Sequence, residues 1–154
     1  MSVQIKSRAI NSVGSKVGKK RQELYKSAIE WIHCSIAGSN YLEAISLAGS
    51  LISDRLESRL NRITGDVRGF RSLPEIIELV SQLEPNEELR RIAAFEVYEW
   101  MQSRDGSLHD MVKLEENRFL SWQDRVETNK KIARKGLALF RKIDKKIKYL
   151  NKRS

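Results

Sequence analysis

The sequence predicts an all-α protein, a four- to five-helix up-and-down bundle with a long basic C-terminal helix. Three observations carry that expectation. Apolar residues recur at three- and four-residue spacing along most of the chain, and nowhere alternate with the period of two that a half-buried strand requires. Helix punctuation falls between the apolar stretches, at Gly38, at Gly65, at Ser72 with Pro74, and at Glu84-Pro85-Asn86. A chain of 154 residues with 40% apolar and 32% charged side chains suits one domain with a real core and a heavily charged surface.

Residues 1–18 mix Ser, Gly, Asn and Lys without an apolar stripe and read as a flexible basic arm ahead of a helical domain over 19–150. The first helix is expected over 19–37, with Leu24, Tyr25, Ala28, Ile29, Trp31, Ile32 and Ile36 on one face and Gly38 as its stop. Asn40 with Glu43 forms a capping-box pattern for the second, whose stripe runs Tyr41, Ile45, Ala48, Ile52, Leu56, Leu60 and Ile63 to Gly65. Its Ala44, Ala48 and Gly49 leave a shallow surface where another helix can approach. The short turn between the two predicts an antiparallel hairpin.

Gly65–Leu73 reads as a loop, and Ser72 with Glu75 caps a short third helix that carries Pro74 in its first turn. Asn86 caps the next, with Leu89, Ile92, Ala93, Val97, Trp100 and Met101 on one face. Gly106 is expected to break that helix. The apolar pattern then resumes at Leu108 and continues through Val112, Phe119, Trp122, Val126, Ala133, Leu137, Phe140, Ile143 and Ile147. It predicts one very long helix or two segments hinged near Gly136, with a basic final stretch at about 129–150.

The net charge of +9 is uneven. Residues 1–21 carry +6 and 128–154 carry +10, whereas 22–127 carry −7. Basic ends on an acidic body favour a polyanion, of which nucleic acid is the commonest in a cytosol. Cys34 is the only cysteine, which excludes a disulfide within the chain and fits a reducing, cytoplasmic compartment. With His33 and His109 it cannot supply the usual four zinc ligands, so no metal and no cofactor is expected. No apolar run is long enough to span a bilayer, and no membrane role is expected.

The segment Arg104-Asp-Gly-Ser-Leu-His109 holds one of the two histidines five residues after an arginine. Metal-free RNA cleavage needs a base for the 2′-hydroxyl proton and a cation for the charge that develops on phosphorus. Histidine suits the first task because it titrates near neutrality. Arginine suits the second because its planar fork holds phosphate oxygens and keeps its charge. On one unbroken helix two residues five apart point about 140° from each other, so a break at Gly106 is expected to let Arg104 end one helix and His109 begin the next. Asp105 can orient either group. One histidine is thin equipment for acid–base chemistry, and two copies across a two-fold axis would supply a pair of each residue.

These residues resemble the Arg-x4-6-His motif of HEPN domains, in which a polar residue commonly follows the arginine. Trp100, four residues before the arginine, agrees with the resemblance, as do Met111-Val-Lys113 and the upstream pattern Ala44, Ala48, Leu56, Leu60. The resemblance spans four or five helices from about 19 to 150. It implies a helical bundle that dimerises through the motif-bearing helices. It also implies a metal-independent endoribonuclease that leaves a 2′,3′-cyclic phosphate, of the kind found in bacterial toxin–antitoxin and antiphage systems. By carry-over Arg104 and His109 would be catalytic and Asp105 supporting, with an antitoxin protein as a further partner. Met111 stands where toxins silenced by a nucleotidyltransferase antitoxin carry tyrosine, and Asp105 where asparagine is frequent.

Lys130, Lys131, Arg134, Lys135, Arg141 and Lys142 make up much of the polar side of the last helix and are the candidate RNA-binding residues. His33 is expected to be packed or half-buried. Trp31, Trp100 and Trp122 are read as core or interface residues. Asp54, Arg55, Glu57 and Arg59 read as a solvated face with ion pairs along the helix. The alternative to a ribonuclease is a non-catalytic helical module that binds RNA or a protein.

Overall fold

Five helical rods make up most of the computed structural model, which describes residues 8–9, 16–66 and 69–153. They are α1 (Lys16–Ala37), α2 (Tyr41–Thr64), α3 (Leu73–Leu83), a composite rod, and α6 (Trp122–Lys152). The composite rod joins α4 (Glu87–Arg91) to α5 (Tyr98–His109) through a π-helical stretch, Ile92–Val97. Among the described residues there is no strand, only an isolated bridge between Glu115 and Arg118. No helix among them is long and apolar enough to cross a membrane.

Most helix ends follow from local chemistry. Gly65 adopts the left-handed conformation (φ 70°) and donates its N–H to the Asn61 carbonyl, closing α2. Ser72 accepts from the Glu75 N–H at the start of α3, and Asn86 accepts from the Leu89 N–H at the start of α4. The expected capping box at Asn40 is not made: the Asn40 N–H donates to the Ser35 carbonyl at 2.7 Å, and Glu43 accepts a hydrogen bond from Trp31 Nε1 across the hairpin at 2.6 Å. Ser39, with φ 62°, makes the left-handed turn there. At the other end of the chain Ser121 and Asp124 form a reciprocal capping box that opens α6.

Two further expectations are corrected. Helix α1 begins at Lys16, so the last residues of the expected arm are helical, and Arg8 within that arm is buried against α2. Residues 1–7 and 10–15 of the expected arm lie outside the described residues. Residues 110–121 are not helical, and Val112, Leu114 and Phe119 are exposed on that connection. Their helical spacing carried no burial. Of the two alternatives left open for the last stretch, the structure has the unhinged one at Gly136, since α6 runs through it unbroken.

Two of the long-helix pairings are antiparallel and one is parallel. Pairings of Trp31 with Glu43 and of Tyr25 with Asp54 make α1 antiparallel to α2. Pairings of Lys146 with Glu88, Lys142 with Glu96 and Arg125 with the Asp110 carbonyl make α6 antiparallel to the composite rod. Helices α2 and α6 run parallel through the middle, linked by Arg55 to Asp144 and Arg59 to Asn151.

The core closes around Trp100. A side chain at Gly136 would meet the indole at 2.6 Å and the Ala48 methyl at 3.0 Å, so glycine lets α2, α5 and α6 converge there. The indole Nε1 donates to the Ile132 carbonyl of α6 at 2.9 Å, satisfying its one donor inside the core. The shallow surface of Ala48 and Gly49 is thus filled by α5. Because Trp100 is fixed, so is the residue one turn further along the same face, Arg104.

Candidate functional site

Helix α5 does not break at Gly106. It continues to His109, and the Asp110 N–H closes it on the Gly106 carbonyl at 2.8 Å. A lone glycine inside a helix costs only about 1 kcal/mol, which the anchoring of Trp100 against α2 and α6 outweighs. Arg104 and His109 therefore share the last turn and a half of one helix and point about 140° apart. The expected convergence of the pair within one chain does not occur.

The two side chains have different surroundings. Arg104 is half-buried and lies across α2 at Gly49, where an added Cβ would sit 3.1 Å from its Nη1. Its Nε and Nη2 both bond Asp105 Oδ1, at 3.1 and 2.9 Å, so Asp105 aligns the guanidinium and offsets part of its charge. His109 is exposed. The chain that leaves it is pinned to α6: Arg125 donates to the carbonyls of Asp110, Lys113 and Leu120, and Asn129 meets the Met111 sulfur at 3.0 Å.

Arg104 opens on a groove of about 840 Å³ between α2, the start of the described chain and the loop before α3. Four guanidinium groups line it, from Arg8, Arg21, Arg71 and Arg104, with Asp54 and Glu57 as the carboxylates. Ser46, Gly49, Ser50 and Ser53 form its α2 wall. Sequence reasoning had Arg104 alone of these cations. The signal it could have used is the run of small residues at 46, 49, 50 and 53, which lies on one face of a helix beside the apolar stripe.

The expectation of a solvated face at Asp54, Arg55, Glu57 and Arg59 is overturned. Arg55, Glu57 and Arg59 are buried because α2 is surrounded by α1, α3, α5 and α6, and each charge meets a partner from another element. Asp54 bonds Arg8 and the Tyr25 hydroxyl, each at 2.5 Å. Glu57 accepts the backbone N–H groups of Phe70 and Arg71 at 2.7 and 3.0 Å. Arg59 holds Glu84 through two bonds, at 2.8 and 2.9 Å. Arg55 and Asp144 approach to 2.8 Å, misaligned for a hydrogen bond. Burial first, and then the Asp54 charge, push the Tyr25 hydroxyl far above its ordinary value. Burial and the neighbouring Arg8 charge lower that of Arg21.

His33 is exposed rather than packed, with its Nε2 3.1 Å from Arg141. Only Trp100 of the three tryptophans is buried; Trp31, whose Nε1 reaches Glu43 at the edge of the hairpin, and Trp122, at the start of α6, are exposed. Of the six residues expected to bind RNA on α6, none lines the groove. Lys142 pairs with Glu96, and Lys130 is half-buried. Lys131, Arg134 and Lys135 are exposed and make no ion pair among the described residues. Together with Arg141, Lys142 and Lys145 they fall on one face of α6. Among the described residues no group of three or more His, Cys, Asp or Glu side chains is placed to hold a metal. Compared with protein-family models, with curated proteins and with solved structures, the chain has no match.

Proposed function

We propose that this protein is a metal-independent endoribonuclease whose site is completed by a second copy of the chain. The observation that supports it is the disposition of the α5 terminus. Arg104 turns into an arginine-lined groove while His109 stands exposed on the other side of the same turn. One chain thus presents two separated half-sites, and a two-fold partner can bring the His109 of one copy to the Arg104 of the other.

In such a site one His109 takes the 2′-hydroxyl proton and the 2′-oxygen attacks phosphorus. The bond to the 5′-oxygen breaks, and the leaving oxygen takes a proton from water. Arg104 stabilises the charge on the phosphorane. The products are a 2′,3′-cyclic phosphate and a 5′-hydroxyl. Exposed cations of α6, Lys131, Arg134 and Lys135, add non-specific phosphate contacts. The resemblance to HEPN ribonucleases extends the proposal to a bacterial toxin or antiphage effector, working in the cytoplasm with an antitoxin partner.

The test is cleavage of a mixed RNA pool in EDTA by wild type and by His109→Ala. Cutting by wild type alone, with cyclic-phosphate ends, supports the proposal, whereas equal cutting by both removes His109 from the mechanism. A second reading, RNA binding without cleavage, is favoured by the Arg104–Asp105 pairing, which holds two of the guanidinium nitrogens. It predicts tight binding with no cutting by either protein.

A further inference from the structure

We propose that the groove between α2 and the end of α5 is a phosphate subsite, in which Arg104 Nη1 and the hydroxyls of Ser46, Ser50 and Ser53 hold the oxyanion. The inference rests on the reading that this chain acts on a phosphate backbone, and gives Arg104 its binding partners. Donors are uncommitted there. Four helical hydroxyls elsewhere bond the carbonyl four residues back, Thr64 to Leu60, Ser81 to Ile77, Ser103 to Glu99 and Thr128 to Asp124, whereas Ser27, Ser35, Ser58 and Ser107 do not. Ser46, Ser50 and Ser53 make no such bond, and neither does Arg104 Nη1 make one. All four line the same groove.

Four guanidinium groups and two carboxylates line the groove, and Asp66 and Asp105 pair with Arg71 and Arg104 from beside it, so an anion would be held by the donors these carboxylates leave open. Arg8, Arg21 and Arg71 are held by Asp54, Glu57 and Asp66, so they form a fixed frame while Arg104 and the serines make contact. Gly49 is the floor: with no side chain, it lets the Arg104 guanidinium lie against α2 between the serines. Planar guanidinium beside hydroxyl donors suits tetrahedral phosphate oxygens. The phosphate can belong to an RNA backbone or to a free nucleotide.

The experiment follows backbone amides of the full-length His109→Ala protein by NMR while inorganic pyrophosphate, uridine monophosphate or a short single-stranded RNA is added. Arg104→Ala and Ser50→Leu are made in the same background and their folding checked by thermal unfolding. The subsite predicts shifts concentrated at residues 46–53 and at 104, and about tenfold weaker pyrophosphate binding in each variant, the effect of losing one charge-assisted contact. If both variants weaken RNA equally, the backbone is the source of the phosphate. If they weaken the mononucleotide and leave RNA unchanged, a free nucleotide is. Shifts confined to α6, or unchanged pyrophosphate affinity in both variants, overturn the subsite. Because cleavage is not the readout, pyrophosphate bound at 46–53 beside an inactive wild type would keep the subsite and remove the ribonuclease.

Discussion

Two charged clusters in this molecule stand in opposite relations to the fold. Between Asp54 and Arg59 on α2, each charged side chain meets an opposite charge from another element: Arg8, Arg21, Arg71, Glu84 or Asp144. At the end of α5, Arg104 pairs only with its sequence neighbour Asp105, and His109 faces solvent. The first cluster ties elements to one another through ion pairs, and among the described residues the second makes no ion pair to another element. A charge that holds no other element is free to serve a ligand, and that contrast is why the functional reading rests on Arg104 and His109 rather than on the denser cluster.

The contrast can be broken most forcefully at Arg59 and Glu84. Glu84→Ala leaves the Arg59 guanidinium buried without its carboxylate and is expected to cost about 3–5 kcal/mol in denaturant unfolding. Replacing both partners by methionine should recover most of that loss, since the penalty comes from the orphaned charge. A small loss in Glu84→Ala would mean that the pair is not closed to water.

Next in size is Gly136→Val. Its side chain would enter the space of the Trp100 ring, and a loss of about 2 kcal/mol is expected, with a shifted tryptophan emission. Tyr25→Phe should cost about 1.5 kcal/mol by removing the bond to Asp54. Its pH dependence sharpens the point. The folded hydroxyl is raised far above the ordinary value, so the unfolded chain ionises first, and wild type should lose stability relative to Tyr25→Phe as pH rises past about 10. Below that pH the difference should be constant.

The smallest stability effects are expected at the second cluster. His109→Ala should fall within about 0.5 kcal/mol of wild type, as surface substitutions do, and Arg104→Ala, which also loses packing on α2, within about 1 kcal/mol. If either costs as much as Glu84→Ala, the contrast between the clusters collapses.

Much of this fold was legible in the sequence because its signals are local. The hydroxyl and amide caps at Ser72 and Asn86, the left-handed Gly65 and the apolar stripe of α2 each depend on a few residues of chain. The destination of a side chain depends on what packs against it. Glu57 looked solvated because nothing in α2 reveals that Phe70 and Arg71 bring their N–H groups to it. Gly106 looked like a break because its neighbours do not reveal the hold that α2 and α6 have on Trp100. The candidate site divides the same way. Arg104 and His109 were visible as a motif, but the groove that receives Arg104 comes from Arg8, Arg71 and the serines of α2, far apart along the chain.

The most direct test of a site shared between two chains is to mix Arg104→Ala with His109→Ala after confirming that wild type cuts RNA and neither variant does so alone. A mixed dimer pairs an intact His109 from one copy with an intact Arg104 from the other. Recovery of activity, up to about a quarter of the wild-type level if chains exchange freely, is the predicted result. A mixture as inactive as its components, with exchange verified, would contradict a site built across two copies.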